Sequence, residues 1–131
     1  MTEPDPLPSV TVVVPVFGDR GGVQATLDAL RAQDYAGSFD VVLVDNGDND
    51  RSPVLGPTAP ALPRDIEVQV VREPVPGSYA ARNAGLRTTS AQVLAFTDAD
   101  CAPRTDWVSA GVAALMAAPQ PAFVEIGRAH V

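Results

Sequence analysis

The sequence predicts an α/β domain with a mainly parallel sheet whose strands are covered on both faces. Three observations predict it. Strand-length runs of β-branched and aliphatic residues alternate with stretches of helical periodicity. Those runs are apolar almost throughout, as strands buried on both sides are. The chemistry-bearing polar residues cluster just after the runs end, where open parallel sheets present their ligands.

The elements follow in order. Residues 1–9, "MTEPDPLPS", are acidic and proline-rich; they are expected to form a disordered lead-in and lack the basic-then-apolar form of a signal peptide. "VTVVVPVF" (10–17) is the first strand. "GGVQATLDALRAQ" places Val23, Leu27 and Leu30 on one helical face. "FDVVLVDNG" is a second strand ending in Asp45, Asn46 and Gly47. The stretch "DNDRSPVLGPTAPALPRD" carries four prolines, so a crossover helix there is short or absent. "IEVQVV" (66–71) is a third strand, "SYAARNAGLRTT" (78–89) a helix with Ser78 as its cap, and "QVLAF" (92–96) a fourth strand. A last helix runs from about Thr105 to Ala118, with Val108, Gly111, Val112 and Leu115 at i, i+3, i+4 and i+7.

Length and composition narrow the function. At 131 residues the chain is one domain, and 46% apolar with 19% charged residues reads as globular. A net charge of −7 argues against nucleic acid or an anionic membrane as partner. All nine basic residues are arginine, which reads as coding bias. The single cysteine, Cys101, excludes an internal disulfide and fits a reducing, cytoplasmic setting. The longest apolar run, "WVSAGVAALMAA", is too short to span a bilayer, so no membrane segment is expected.

The stretch "VLAFTDADCAP" (93–103) ends a buried strand on Asp98 and Asp100. In an extended segment both side chains would leave on the same face. Carboxylates that close repel unless a cation joins them, and hard Mg2+ or Mn2+, completed by phosphate oxygens, is the natural occupant. The plainer alternative is a turn in which Asp98 caps the following loop. "DNGDND" (45–50) is not a calcium loop: counting from Asp48, Pro53 stands where that loop needs Gly and Ala59 where it needs Glu. Asp45, at the strand end, is a candidate acceptor for a base or ribose, whereas Asp48, Asn49 and Asp50 read as solvated loop. "PGSYAARNAG" (76–85) places a Gly-Ser entry at a helix N-terminus, which favours an anion. Arg82, one turn in, either reaches a diphosphate or pairs with Glu73, and Gly85 lets the helix approach the sheet closely. Trp107 and Tyr79 read as packing residues, Cys101 lacks the basic neighbour a nucleophile needs, and a lone His130 makes a Ser-His-Asp triad improbable.

Taken together, "VTVVVPVF", "FDVVLVDNGDND", "PGSYAARNAGLRTTSAQVLAFTDADCAP" and "DWV" resemble, in order and over about residues 10–118, the family 2 glycosyltransferases. These are inverting enzymes of the GT-A nucleotide-diphospho-sugar fold, so the resemblance implies a three-layer α/β/α domain around a twisted sheet. It implies that Pro15 and Val16 line the nucleotide pocket and that Asp45 and Asn46 contact base and ribose. Arg82 would lie by the diphosphate. Asp98 and Asp100 would form the D-x-D motif, holding ribose and metal, with Asp100 the stronger metal ligand. The partners implied are a nucleotide-diphospho-sugar donor and an acceptor hydroxyl on a glycan, lipid or small molecule.

The loop departs from the commonest form, "VDDGSxD", at Asn46 and Asp48, which leaves the donor base open. Family members run well past this length and draw their catalytic base from a second half. The chain is therefore expected to be a C-terminally truncated, donor-binding half-domain over residues 10–124, with little or no transfer activity alone. Residues 125–131, "EIGRAHV", back-translate to the start of a common sequencing-library adapter and are expected to be a non-native tail. The whole protein is expected in the cytoplasm or at the inner face of the cell membrane.

Three other classes compete with this reading. A haloacid-dehalogenase-like phosphatase also places D-x-D after a strand, but normally the first, and needs a lysine that this chain lacks. A nucleotidyltransferase should open with a Gly-rich, Arg-containing loop, which "PVFGDRGG" matches poorly. A non-catalytic nucleotide-binding or scaffold domain is the remaining alternative.

Overall fold

The computed structural model describes residues 7–18, 21–56, 62 and 66–117. The lead-in up to residue 6, the tail at 125–131 and His130 lie outside the described residues. The elements are β1 (Val10–Val16), α1 (Gly21–Arg31), β2 (Phe39–Asp45), β3 (Val68–Arg72), α2 (Ser78–Arg87), β4 (Val93–Phe96) and α3 (Trp107–Ala117). The four strands form one sheet in the order β3-β2-β1-β4, every pair parallel. No helix occurs among the described residues between β2 and β3, while 57–61 and 63–65, with three of the four prolines, lie outside them.

Alternation along each strand assigns its residues to two layers. Val10, Val12, Val14 and Val16 of β1, with Val41 and Leu43 of β2, pack on one face against Val23, Leu27 and Leu30 of α1 and Val108 and Val112 of α3. Val13, Val42 and Val44 face the other way, against Ala81 and Ala84 of α2. The result is the three-layer α/β/α arrangement. Trp107 packs against the first core as expected. The α2 side is built from small residues so that helix and sheet meet closely. A Cβ at Gly85 would overlap Val13 Cγ1.

Buried polar side chains lock the layers. Gln33, fully buried, donates from Nε2 to the carbonyls of Ala29 at 3.2 Å and Arg104 at 2.6 Å, and accepts from Val108 N–H at 3.0 Å. It thereby closes the end of α1 and caps the start of α3, whose helix begins at Trp107 rather than Thr105. Gly77, not Ser78, is the N-cap of α2, and no side chain of its own can cap the helix; Gly77 has φ 114° and ψ 152°.

The connections set the site. The chain steps from β1 through α1 to β2 and on to β3, then returns through α2 to β4 on the opposite side of β1. Strand order therefore reverses between β1 and β4, the position where open α/β sheets form a crevice. Among the described residues no helix is long and apolar enough to cross a membrane.

Candidate functional site

A cleft of about 570 Å³ opens at this reversal. Pro15 and Phe17 come from the end of β1, Asn46 and Arg51 from the loop after β2, Pro76 to Ser78 from the entry to α2, and Asp98 to Asp100 from the end of β4. Two backbone bonds tie the loops after β1 and β2 together: Gly18 N–H donates to the Gly47 carbonyl at 3.0 Å, and Asn46 N–H to the Val16 carbonyl at 2.8 Å.

Asp98 and Asp100 do converge, though not through an extended backbone. Ala99 and Asp100 form a turn, closed by Cys101 N–H donating to the Asp98 carbonyl at 3.2 Å. Carboxylate oxygens of the two aspartates and Cys101 Sγ all lie within 4.8 Å of one another. Asp98 is half-buried, Asp100 exposed, and Cys101 buried, its thiol directed at Asp100 Oδ1 3.7 Å away. The turn is anchored from beneath by Thr26 of α1, whose buried hydroxyl reaches the carbonyls of Ala99, at 2.8 Å, and Cys101. The donor set suits a hard divalent ion, because carboxylate oxygens are its preferred ligands and an adjacent thiol sulfur is not.

Asp45 and Asn46 have other partners. The Asp45 carboxylate, in a residue 2% exposed, accepts from Gly47 N–H at 2.9 Å, Val54 N–H at 3.0 Å and Leu55 N–H at 2.9 Å. Arg72 adds an ion pair at 3.4 Å and bonds the carbonyls of Asp45 and Arg51. Asp45 thus folds the loop after β2 back on itself. Replacing Asp45 with Asn should cost about 1–3 kcal/mol, since an amide nitrogen would then face backbone N–H donors. Thermal melting and faster tryptic cleavage after Arg51 would check it, and unchanged values would refute it.

Asp48 is likewise a loop cap rather than free solvated charge. It accepts from the N–H groups of Ser52 and Asp50, both at 2.9 Å. The Ser52 bond, foremost, holds its carboxyl below the usual range. A lowered folded-state value means that its stabilisation is complete above the ordinary carboxylate range and fades as the pH falls through the lowered one. Amide exchange at Ser52, referred to an unstructured peptide, should therefore lose protection in acid, and Asp48→Asn should flatten that dependence.

Of the predicted site residues, the cleft brings together Pro15, Asn46, Asp98 and Asp100. Val16 is fully buried in the core beneath α1, and Asp45 is sealed behind the loop. Arg82, half-buried on α2, is not among the lining residues, and Glu73 pairs instead with Arg87 at 3.1 Å. Tyr79 is 81% exposed and is not a packing residue. Phe17 and Arg51 were not anticipated. Phe17 is half-exposed, with the Arg51 guanidinium 5.8 Å from its ring centroid. A large aromatic closing the first strand, beside the reversal, was the available signal.

A family model described as Glycosyl transferase family 2 matches residues 11–126. Glycosyltransferase AglE of Haloferax volcanii is 34% identical over 110 residues, covering 83% of this chain and 36% of that protein. An N-acetylglucosaminyltransferase of Bradyrhizobium elkanii is 31% identical over 105 residues, 79% of this chain and 57% of its own. The chain thus spans about a third to just over half of these curated relatives. Among solved structures, mannosyltransferase PcManGT from Pyrobaculum calidifontis, in complex with GDP-Man and Mn2+, superposes with a TM-score of 0.68 at 30% identity, over 86% of this chain and 33% of that one. S. aureus TarS 1-349 in complex with UDP-GlcNAc gives 0.58 at 18% identity over 82% of this chain and 31% of that one, a likeness of fold alone. The fold is GT-A, the phosphatase alternative finds no support, and the chain belongs to glycosyltransferase family 2.

Proposed function

We propose that this domain binds the nucleoside diphosphate of an activated sugar in the cleft, with Mg2+ or Mn2+ held by Asp98 and Asp100. In the whole protein the sugar passes to an acceptor hydroxyl with inversion. The observation that carries the reading is the convergence of two carboxylates within 4.8 Å at the strand-order reversal of a family 2 chain. The Mn2+ and GDP-Man held by a relative of 30% identity lend support.

Each group has a defined task. Pro15 and Phe17 supply an apolar wall for the nucleoside. Gly77 and Ser78 present the start of α2, where partial positive charge favours phosphate. Arg82, one turn further along α2 and outside the cleft lining, is the cation proposed to reach the diphosphate from the side of the helix. Asp100, the more exposed carboxylate, is the principal metal ligand, and Asp98 shares the ion or the ribose. When bound, the ion neutralises the charge that develops on the departing diphosphate. The working unit is residues 10–124, in a cytoplasmic setting, and alone it binds donor without transferring it.

Calorimetric titration of UDP and GDP, with Mn2+ and then with chelator, tests this. Binding that requires metal is expected. Binding indifferent to metal would favour a plain nucleotide-binding or scaffold domain, and no binding by folded protein would end the proposal.

A further inference from the structure

We infer that Asn46 is a positioning residue, which holds the wall of the cleft in place instead of reading the base of a ligand. Both hydrogens of its amide nitrogen are engaged, to the carbonyls of Glu73 at 2.9 Å and Val75 at 2.8 Å. Its amide oxygen accepts from Gly77 N–H at 3.2 Å. Two carbonyls facing one end of the amide and an N–H facing the other leave a single orientation that satisfies the network. With its backbone N–H on the Val16 carbonyl, the residue joins the ends of β1 and β2 to the entry of α2. At 4% exposure it offers a ligand little surface.

Among the described residues that entry has one other side-chain tie, Val75 N–H donating to Glu73 Oε2 at 3.1 Å, with Glu73 held in turn by Arg87. Residues 74–79 are all exposed, so packing does not fix them. Gly77 adopts a conformation nearly restricted to glycine, and its carbonyl accepts the first α2 bond, from Ala81 N–H at 3.1 Å. The Glu73 bond stops at Val75, so the bonds from Asn46 to residues 73, 75 and 77 are what carries the hold on to Gly77 and Ser78 at the cleft. Alanine at 46 removes all three. Aspartate keeps an acceptor for Gly77 but turns a carboxylate toward two carbonyl oxygens, which it cannot satisfy.

Two measurements on Asn46→Ala and the isosteric Asn46→Asp separate the possibilities. In the nucleotide-free protein, amide exchange at Gly77 and Ala81 should accelerate at least about tenfold while β1 amides keep their protection. Unchanged exchange at Gly77 overturns the inference whatever the ligand does. With Mn2+ present, Kd for UDP, GDP and ADP should rise by a common factor of about ten or more. A loss confined to one base, or none, would instead make Asn46 a base-reading residue or a bystander. This nucleotide arm rests on the function proposed above, whereas the exchange arm does not. Wild-type protein that takes no nucleotide therefore removes the donor-site reading and leaves Asn46 to be judged on exchange alone. Should the alanine variant not fold, the aspartate variant carries both measurements.

Discussion

Asp100→Ala is expected to weaken Mn2+-dependent binding of nucleoside diphosphates by roughly 10–100-fold while leaving the melting temperature within a degree or two of wild type. The ion would lose its most accessible carboxylate, and interactions with charged groups contribute about 1.5–3 kcal/mol each, where 1.4 kcal/mol is tenfold in Kd. Folding should be nearly indifferent because Asp100 is exposed and the turn is held from beneath by Thr26 and by the Cys101–Asp98 backbone bond. Asp98→Ala should lose affinity similarly but cost more stability, being half-buried. Binding in chelator should be equally weak for wild type and both variants. Equal affinity of wild type and Asp100→Ala with Mn2+ would remove Asp100 from the metal site.

Gly85→Ala should destabilise the domain, although alanine is intrinsically the better helix residue by about 0.8–1.0 kcal/mol. The added methyl would overlap Val13 Cγ1 and crowd Val13 Cγ2 and Cβ as well, and Val13 is itself fully buried on a central strand. Overpacking of this kind costs roughly 1–3 kcal/mol, and the directness of the overlap places it high in that range, so sterics outweigh propensity. A chain of this size should lose about 4 °C in Tm per kcal/mol. Val13→Ala in the same molecule makes space for the methyl. The pair should be coupled by about 0.5–3 kcal/mol, the double variant being more stable than the sum of the singles. A melting temperature at or above wild type for the single variant would show that α2 withdraws freely from the sheet.

Much of this architecture was legible in the chain. The apolar runs at 10–17 and 39–45 are strands because β-branched side chains suit a pleated surface, and burial on both faces removes any need for polar alternation. Val23, Leu27 and Leu30 marked the buried face of α1 directly. Caps were read less well. Ser78 was the natural N-cap by residue type, yet the chain enters α2 through Gly77, whose N–H donates to Asn46 Oδ1. The acid pair was found by its place in the chain, but its convergence comes from a turn tied to α1, where strand alternation was expected to supply it. Arg82 illustrates the same limit: its distance from α2's start was readable, whereas its absence from the cleft lining was not.

The sequence by itself determined the order of strands and helices, the two-sided burial of the sheet and the arrival of two carboxylates at a strand end. All of these arise from periodicity and spacing over a few residues. Only the tertiary structure decided what Asp45 and Asn46 do, because their partners lie up to 31 residues away in sequence. A buried polar group takes whichever backbone donors and acceptors the fold brings near it, and residue type alone does not say which those are.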